Sequence, residues 1–235
     1  MLVYVLTLLI YSLILFYGSY FINSGFYIKA ICIAQTERKI LAISFDDGPA
    51  ESYTPQILLV LKENDAQAAF FCIGNRIPGN EKLLHAIHEQ GHIIGNHSYS
   101  HHFWFDLFSW GKMLSDMKMM DAKVDEAIGL TPKLFRPPYG VTNPNVKKAI
   151  IAGGYIPIGW SFRSMDTVIK DEKKLLAKVK KNIKPGSIIL FHDTSKTTLG
   201  ILPEFFRYVK DNDYEILRLD EMINIAPYSQ ENRKK

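Results

Sequence analysis

From residue 38 onward the chain alternates short apolar runs with amphipathic stretches, and this alternation restricts the fold more than any other feature. Residues 41–45 read as a strand, and 54–64 as a helix with Ile57, Leu58 and Leu61 on one face and Pro55 in the tolerated first turn. The pairing recurs as strand 68–73 with helix 80–90, strand 92–96 with helix 113–128, and strand 133–135 with helix 143–152. Strand 155–160 then precedes helix 171–182, strand 187–191 precedes helix 202–211, and strand 214–218 closes the series. Strands separated by helices pair in parallel with the helices outside. The expected fold is α/β, a distorted (β/α)7-8 barrel, and 235 residues suffice for one such domain. We expect this domain to occupy 38–228, ahead of a polar tail at 229–235, with no repeat or second domain.

The N-terminus is a different material. Residues 1–27 contain no Asp, Glu, Lys or Arg, and Lys29 is the first charge. Residues 2–21 match the length of a membrane-crossing helix, and Tyr17, Tyr20, Phe26 and Tyr27 stand where interfacial aromatics would. A cleavable signal peptide is the rival reading, but no basic residue opens the segment and no small-x-small site precedes Gln35. A buried soluble helix is a third reading. We therefore expect a membrane anchor over 1–28, a juxtamembrane linker over 29–37, and a single-pass protein of the cell membrane. Lys29, Arg38 and Lys39 follow the span and argue by the positive-inside tendency for a cytoplasmic domain; the function argued below requires an extracytoplasmic one, which we expect. A net charge of +4 suits weak attraction to anionic surfaces. No basic-aromatic patch points to nucleic acid, a monomer is expected, and Cys32 and Cys72 are too few for a disulfide framework.

Within the barrel region, strand after strand ends in chemistry. Ser44-Phe45-Asp46-Asp47-Gly48-Pro49 delivers two acids to a strand's C-terminal end. Neighbouring strand residues point to opposite faces, so the two carboxylates take different tasks. Taken alone, Asp-Gly after a strand is also an ordinary turn. His97 and His101 are four apart and can present both imidazoles to one point. Joined by Asp47, they form a three-ligand set that suits Zn²⁺, with Co²⁺ or another first-row divalent ion as alternatives. Arg136-Pro137-Pro138-Tyr139-Gly140 places a carboxylate-binding fork on a rigid turn. His192-Asp193 ends another strand, and Trp160 to Asp166 supplies a further acid. Phe103, Trp104 and Phe105 follow His101 closely, either as a cover for the barrel rim or as a platform on which a ligand's rings stack. His92 is expected to be packed or at the surface, and His85 and His88 solvent-facing.

The ordered set SFDDGP, HSYSH, RPPYG, WSFRSMD and LFHD resembles the NodB-homology polysaccharide deacetylases, carbohydrate esterase family 4, over roughly residues 38–225. The resemblance implies a metal-dependent hydrolase acting on a carbon-nitrogen bond, which removes N-acetyl groups from an N-acetylglucosamine-containing glycan, peptidoglycan or a related cell-surface polymer. It assigns Asp47, His97 and His101 to the metal, and makes Asp46 the general base, oriented and kept ionised by Arg136. The Tyr139 backbone N–H becomes an oxyanion donor, and His192 the acid, steadied by Asp166. Leu190 is expected to line the acetyl pocket, and Pro137 and Trp160 to contact substrate. Two positions depart from the family's pattern: Thr167 stands where many members have Trp, and Arg163 where an acid is common. O-deacetylation of a xylan-like polymer and a non-catalytic glycan-binding barrel are the alternatives.

Overall fold

In the computed structural model, which describes residues 1–229, an N-terminal helix α1 (Leu2–Tyr20) precedes an α/β body. Its first half contains β1 (Ile40–Asp46), α2 (Thr54–Glu63), β2 (Ala68–Cys72), α3 (Glu81–Glu89), β3 (Ile93–Asn96) and α4 (Trp110–Ile128). The second half contains β4 (Thr131–Pro132), β5 (Leu134–Phe135), α5 (Pro144–Gly153), β6 (Ile156–Pro157), β7 (Phe162–Arg163) and α6 (Glu172–Asn182). It ends with β8 (Ser187–His192), α7 (Lys196–Asp211), β9 (Glu215–Ile216), α8 (Leu219–Ile223) and β10 (Tyr228–Ser229). The main sheet runs β6-β5-β3-β2-β1-β8-β7, all in parallel, with β9 added to β1. It curls as the barrel expected from the strand–helix alternation.

Every residue of β1 is buried, as befits a central parallel strand covered on both faces. Leu41, Ile43 and Phe45 pack outward under α2, α6 and α7, where Phe45 stacks on Phe70 with centroids 5.0 Å apart. The alternate residue Ala42 joins Phe71, Ile93, Leu134, Ile158 and Ile188 in a second cluster inside the curl. Period-two alternation therefore turns Ser44 and Asp46 inward. Register then aligns the strand ends. Asp46 lies opposite Phe71 of β2 and His192 of β8, Cys72 opposite Asn96, and Asn96 opposite Phe135. The residues that follow these ends share one rim.

The second half is less regular than the sequence suggests. β5, β6, β7 and β9 are two residues each, and α7 begins at Lys196, with Pro203 inside it, rather than at 202. Among the described residues, no strand pairing joins β6 to β7. The seam is instead packed by part of the segment 29–37, expected as a linker: Ile31 bridges to Ile158 and Ile33 to Ser187. Ser161 ties the strap to the sheet, donating its hydroxyl to the Cys32 carbonyl and accepting from the Ile188 N–H. The expected tail 229–235 enters the structure at Ser229, which pairs with Thr131; the rest lies outside the described residues.

Gly186 tests the strap. It has φ 75°, and an added Cβ would sit 2.1 Å from the Ala34 carbonyl oxygen. Gly186→Ala should lower stability by about 1–3 kcal/mol, read as a lower denaturation midpoint; an unchanged midpoint would mean that the strap is not held as described.

Candidate active site

The site is built around Arg136, which follows β5 and is fully buried. Its guanidinium lies 4.1 Å from the centroid of the Phe71 ring and spends its donors on fixed acceptors. Nη1 donates to Asp46 Oδ1 at 2.6 Å and to Ser44 Oγ at 2.9 Å; Nη2 donates to the Gly159 carbonyl and Nε to that of Ile158. Burial pushes the Asp46 carboxyl above the usual carboxylate range, and the charge of Arg136 opposes that rise without cancelling it. The guanidinium fixes the direction in which the Asp46 carboxylate points. Desolvation outweighs its charge, however, and leaves a more basic carboxylate than an ordinary ion pair would.

Asp47 turns away from Asp46, at φ 75°, and its carbonyl accepts from Arg76. Its Oδ1 lies 3.6 Å from His97 Nε2 and 3.5 Å from His101 Nε2. The three ligand atoms lie within 4.8 Å of one another. His97 Nδ1 is 2.7 Å from the Arg136 carbonyl oxygen, which can only accept. The proton must therefore sit on Nδ1, leaving the Nε2 lone pair facing Asp47. Burial lowers both histidines to about 4, so each is a neutral imidazole at neutral pH. Two neutral nitrogens and one carboxylate oxygen around a common point are the donor set a divalent ion needs.

The loop carrying the histidines is held by residues that the sequence did not single out. Ser98 and His101 both have positive φ, and Asp116 on α4 accepts from the N–H groups of Tyr99 and Ser100. Asn96 accepts from the Ser98 N–H and donates to buried Asp121, which also accepts from Tyr155 and Lys118. The Asn96–Ser98 and Lys118–Asp121 bonds are local, but the Asp116, Asn96–Asp121 and Tyr155–Asp121 contacts join separate elements and have no local sequence signature.

On the opposite wall, His192 Nδ1 pairs with Asp166 Oδ1 at 2.8 Å, and its backbone N–H donates to Asp166 Oδ2. Ser164 and Thr198 also donate to that buried carboxylate. Burial disfavours charging His192, but the hydrogen bond and charge of Asp166, with Asp46 and Asp47 beyond, prevail and raise it to about 9. Asp166 itself is held below the usual range: its desolvation is outweighed by His192, Thr198 and Ser164. Asp193, next in sequence, faces elsewhere. Thr54 donates to its Oδ2, and its carboxylate presses on Gly48, where an added Cβ would meet Oδ2 at 2.1 Å.

These walls enclose a cavity of about 240 Å³, lined among others by Asp46, Asp47, His97, His101, Trp160, Leu190 and His192. Tyr139 lies on its lip in the left-handed region, φ 58° and ψ 0°, followed by Gly140 at φ 70°. A Cβ on Gly140 would strike the Trp160 ring at 2.2 Å, so the turn closes directly on the indole. Arg163 donates from Nη2 to the Tyr139 carbonyl at 2.5 Å, and its guanidinium lies over Trp160 and over Tyr20 of α1. Pro137 does not line the cavity. It is buried behind the wall, and its carbonyl accepts from the Gly140 N–H. Met165 and Thr167 line the cavity instead. Phe103 and Trp104 are exposed at the rim, Phe105 is buried in the body, and His92 is packed, its Nδ1 accepting from the Ala68 N–H. His85 is exposed, and His88 half-buried.

The polysaccharide deacetylase family model matches residues 33–157. A peptidoglycan-N-acetylglucosamine deacetylase of Bacillus cereus is 34% identical over 190 residues, covering 79% of this chain and 88% of that protein. A second protein so named, from the same organism, is 32% identical over 189 residues, covering 76% and 68%. A solved peptidoglycan N-acetylglucosamine deacetylase, in complex with a naphthalenyl N-hydroxybenzamide, shares the fold with a TM-score of 0.81 at 24% identity, covering 85% of this chain and 95% of that one. With more than half of the chain matched by the family model, and with two such relatives, this chain belongs to the polysaccharide deacetylases of carbohydrate esterase family 4, a family of hydrolases.

Proposed function

We propose that the protein hydrolyses N-acetyl groups from an N-acetylglucosamine-containing glycan, peptidoglycan or a related cell-surface polymer. One observation carries the reading. A buried carboxylate, Asp46, and a histidine charged below about 9, His192, lie opposite each other on neighbouring strands and line one cavity beside the Asp47–His97–His101 cluster. The sugar is taken from the names of the Bacillus cereus relatives.

In this reading Asp47, His97 and His101 hold a divalent cation, with Zn²⁺ the best match to two nitrogens and a carboxylate and Co²⁺ a workable substitute. When bound, such an ion supplies Lewis acidity, polarising an acetyl carbonyl and making water more acidic. Asp46 accepts the proton of the attacking water, and the rise in its pKa on burial makes it a stronger base for that task. Arg136 keeps the carboxylate in place. The Tyr139 N–H donates to the carbonyl oxygen as negative charge gathers there, a contribution of about 3 kcal/mol for such donors. An amine leaves only once protonated. With Nδ1 engaged by Asp166, His192 delivers that proton from Nε2. Leu190 and Trp160 form the apolar wall for the acetyl methyl group.

The same proposal takes α1 as a single membrane span, with mean hydropathy 2.0 and 6% of its window buried, and puts the catalytic domain outside the cytoplasm where such glycans lie.

Acetate release from chitooligosaccharides and peptidoglycan should vanish on chelation and return with Zn²⁺ or Co²⁺; release indifferent to chelation would exclude this mechanism. Asp46→Asn should lower kcat by about 100- to 10,000-fold while bound metal, measured by atomic absorption, is retained. For pH, the sign follows from His192: activity holds while it is protonated and falls as pH rises through about 9. Asp166→Asn removes the negative charge and leaves at most a neutral acceptor, so the alkaline limb should move to lower pH; a limb at the same pH in both proteins would contradict the assignment of His192.

A further inference from the structure

The end of α1 is fastened to the catalytic rim. Thr142, three residues after Tyr139, donates its N–H to the Ser19 carbonyl at 2.9 Å and its hydroxyl to that of Gly18 at 3.1 Å. Gly18 and Thr142 are both buried, and a Cβ on Gly18 would meet the Phe26 ring at 2.6 Å. On the other lip, Arg163 lies under Tyr20 with 5.1 Å to the ring centroid. The chain then descends the seam. Ile22 clusters with Trp160 and with Leu190, near the C-terminal end of β8, while Ile33 pairs with Ser187 at its start. Helix α1 therefore joins the body at the rim that holds the cavity, and its own surface stands free of the body, with 6% of its apolar window buried.

A second observation lies on the same rim. The loop after His101 exposes Phe103 at 63%, Trp104 at 55%, Leu107 at 68% and Trp110 at 44%. It adjoins both the cavity and the root of α1: the Phe103 ring is 6.0 Å from that of Tyr139, and Asn143, next to Thr142, donates to the Asp106 carbonyl. Across the mouth, Met165 and Val168 are also exposed. Scattered surface apolar side chains are ordinary, but a cluster around a cavity mouth marks a contact surface. Aromatic rings are the residues that settle at a membrane–water interface.

We infer that the catalytic rim lies against the lipid bilayer, with the 103–110 loop seated in the headgroup region, so that the glycan it reaches is one presented at the membrane surface. The inference rests on the reading of α1 as a membrane span. It turns α1 from a tether into a device that sets which way the active site faces.

The test reconstitutes the full chain in phosphatidylcholine–phosphatidylglycerol vesicles in which part of the lipid carries bromine on the acyl chain close to the headgroup. Of the three tryptophans, Trp160 is 7% exposed and serves as the internal reference. Bromolipid should quench the wild-type emission, and the quenching should be lost in the Trp104→Phe/Trp110→Phe double variant. Protein that stays in the vesicles after an alkaline wash yet shows no quenching would overturn the inference and leave the anchor standing, as would equal quenching of wild type and double variant. Emission that responds to soluble chitooligosaccharide but not to bromolipid would make the loop a sugar platform and also overturn it. Release by the alkaline wash would remove the anchor reading and this inference together, while acetate release from chitooligosaccharide would report separately on the deacetylase reading.

Discussion

The contact on which the rest depends is the buried pair between Arg136 and Asp46 at the mouth of the barrel. A guanidinium with no solvent exposure is tolerable only if its donors find acceptors, and here Ser44, Asp46, Ile158 and Gly159 take four of the five N–H groups. Those acceptors lie on β1 and on the chain leaving β6, so one side chain spans the inside of the curled sheet. Its own carbonyl then sets the tautomer of His97. Deleting one member of such a pair strands a buried charge, which typically costs about 3–5 kcal/mol. The orientation of the Asp46 carboxylate and the tautomer of His97 thus depend on a single residue.

Around that pair, burial and charge divide the titratable groups by task. Desolvation raises Asp46 against the pull of Arg136 and keeps His97 and His101 neutral. The same burial acts on His192, but the hydrogen bond and charge of Asp166, with Asp46 and Asp47 beyond, overcome it, and two further hydroxyl donors hold the Asp166 carboxylate in place. A carboxyl group of raised basicity and an imidazole that keeps its proton up to about pH 9 therefore share one cavity. The two departures from the family's pattern leave both groups untouched. Arg163 has a place of its own, bonded to the Tyr139 carbonyl and covered by Tyr20 of the N-terminal helix. Thr167 lines the cavity where a larger ring would narrow it.

Much of this was legible in the chain. The apolar run into Asp46-Asp47 reads as a strand end because β1 is long and buried on both faces, and the first three strand–helix units follow their sequence periods closely. A strand of two residues such as β7 is too short for any period to mark, and β9 shows only as part of the longer run 214–218. The Ile31–Ile33 strap reads as a linker because its partners lie more than a hundred residues away. The Asn96–Asp121–Tyr155 network and the seating of α1 on Thr142 escaped for the same reason: each is a contact between distant elements, made by residue types that are common in loops and helices. The strand-end motifs bring the acid, base and ligand candidates together without fixing their roles; distances, tautomer and burial supply the physical case for each.

The central claim, that these strand ends form a hydrolytic deacetylation site, is tested most directly by following the oxygen atom. Turnover of an N-acetylglucosamine oligomer in heavy-oxygen water, with both products analysed by mass spectrometry, should give acetate carrying one labelled oxygen and a glycan bearing a free amine. An N-acetyl glycan recovered intact, or acetate without label, would contradict the account.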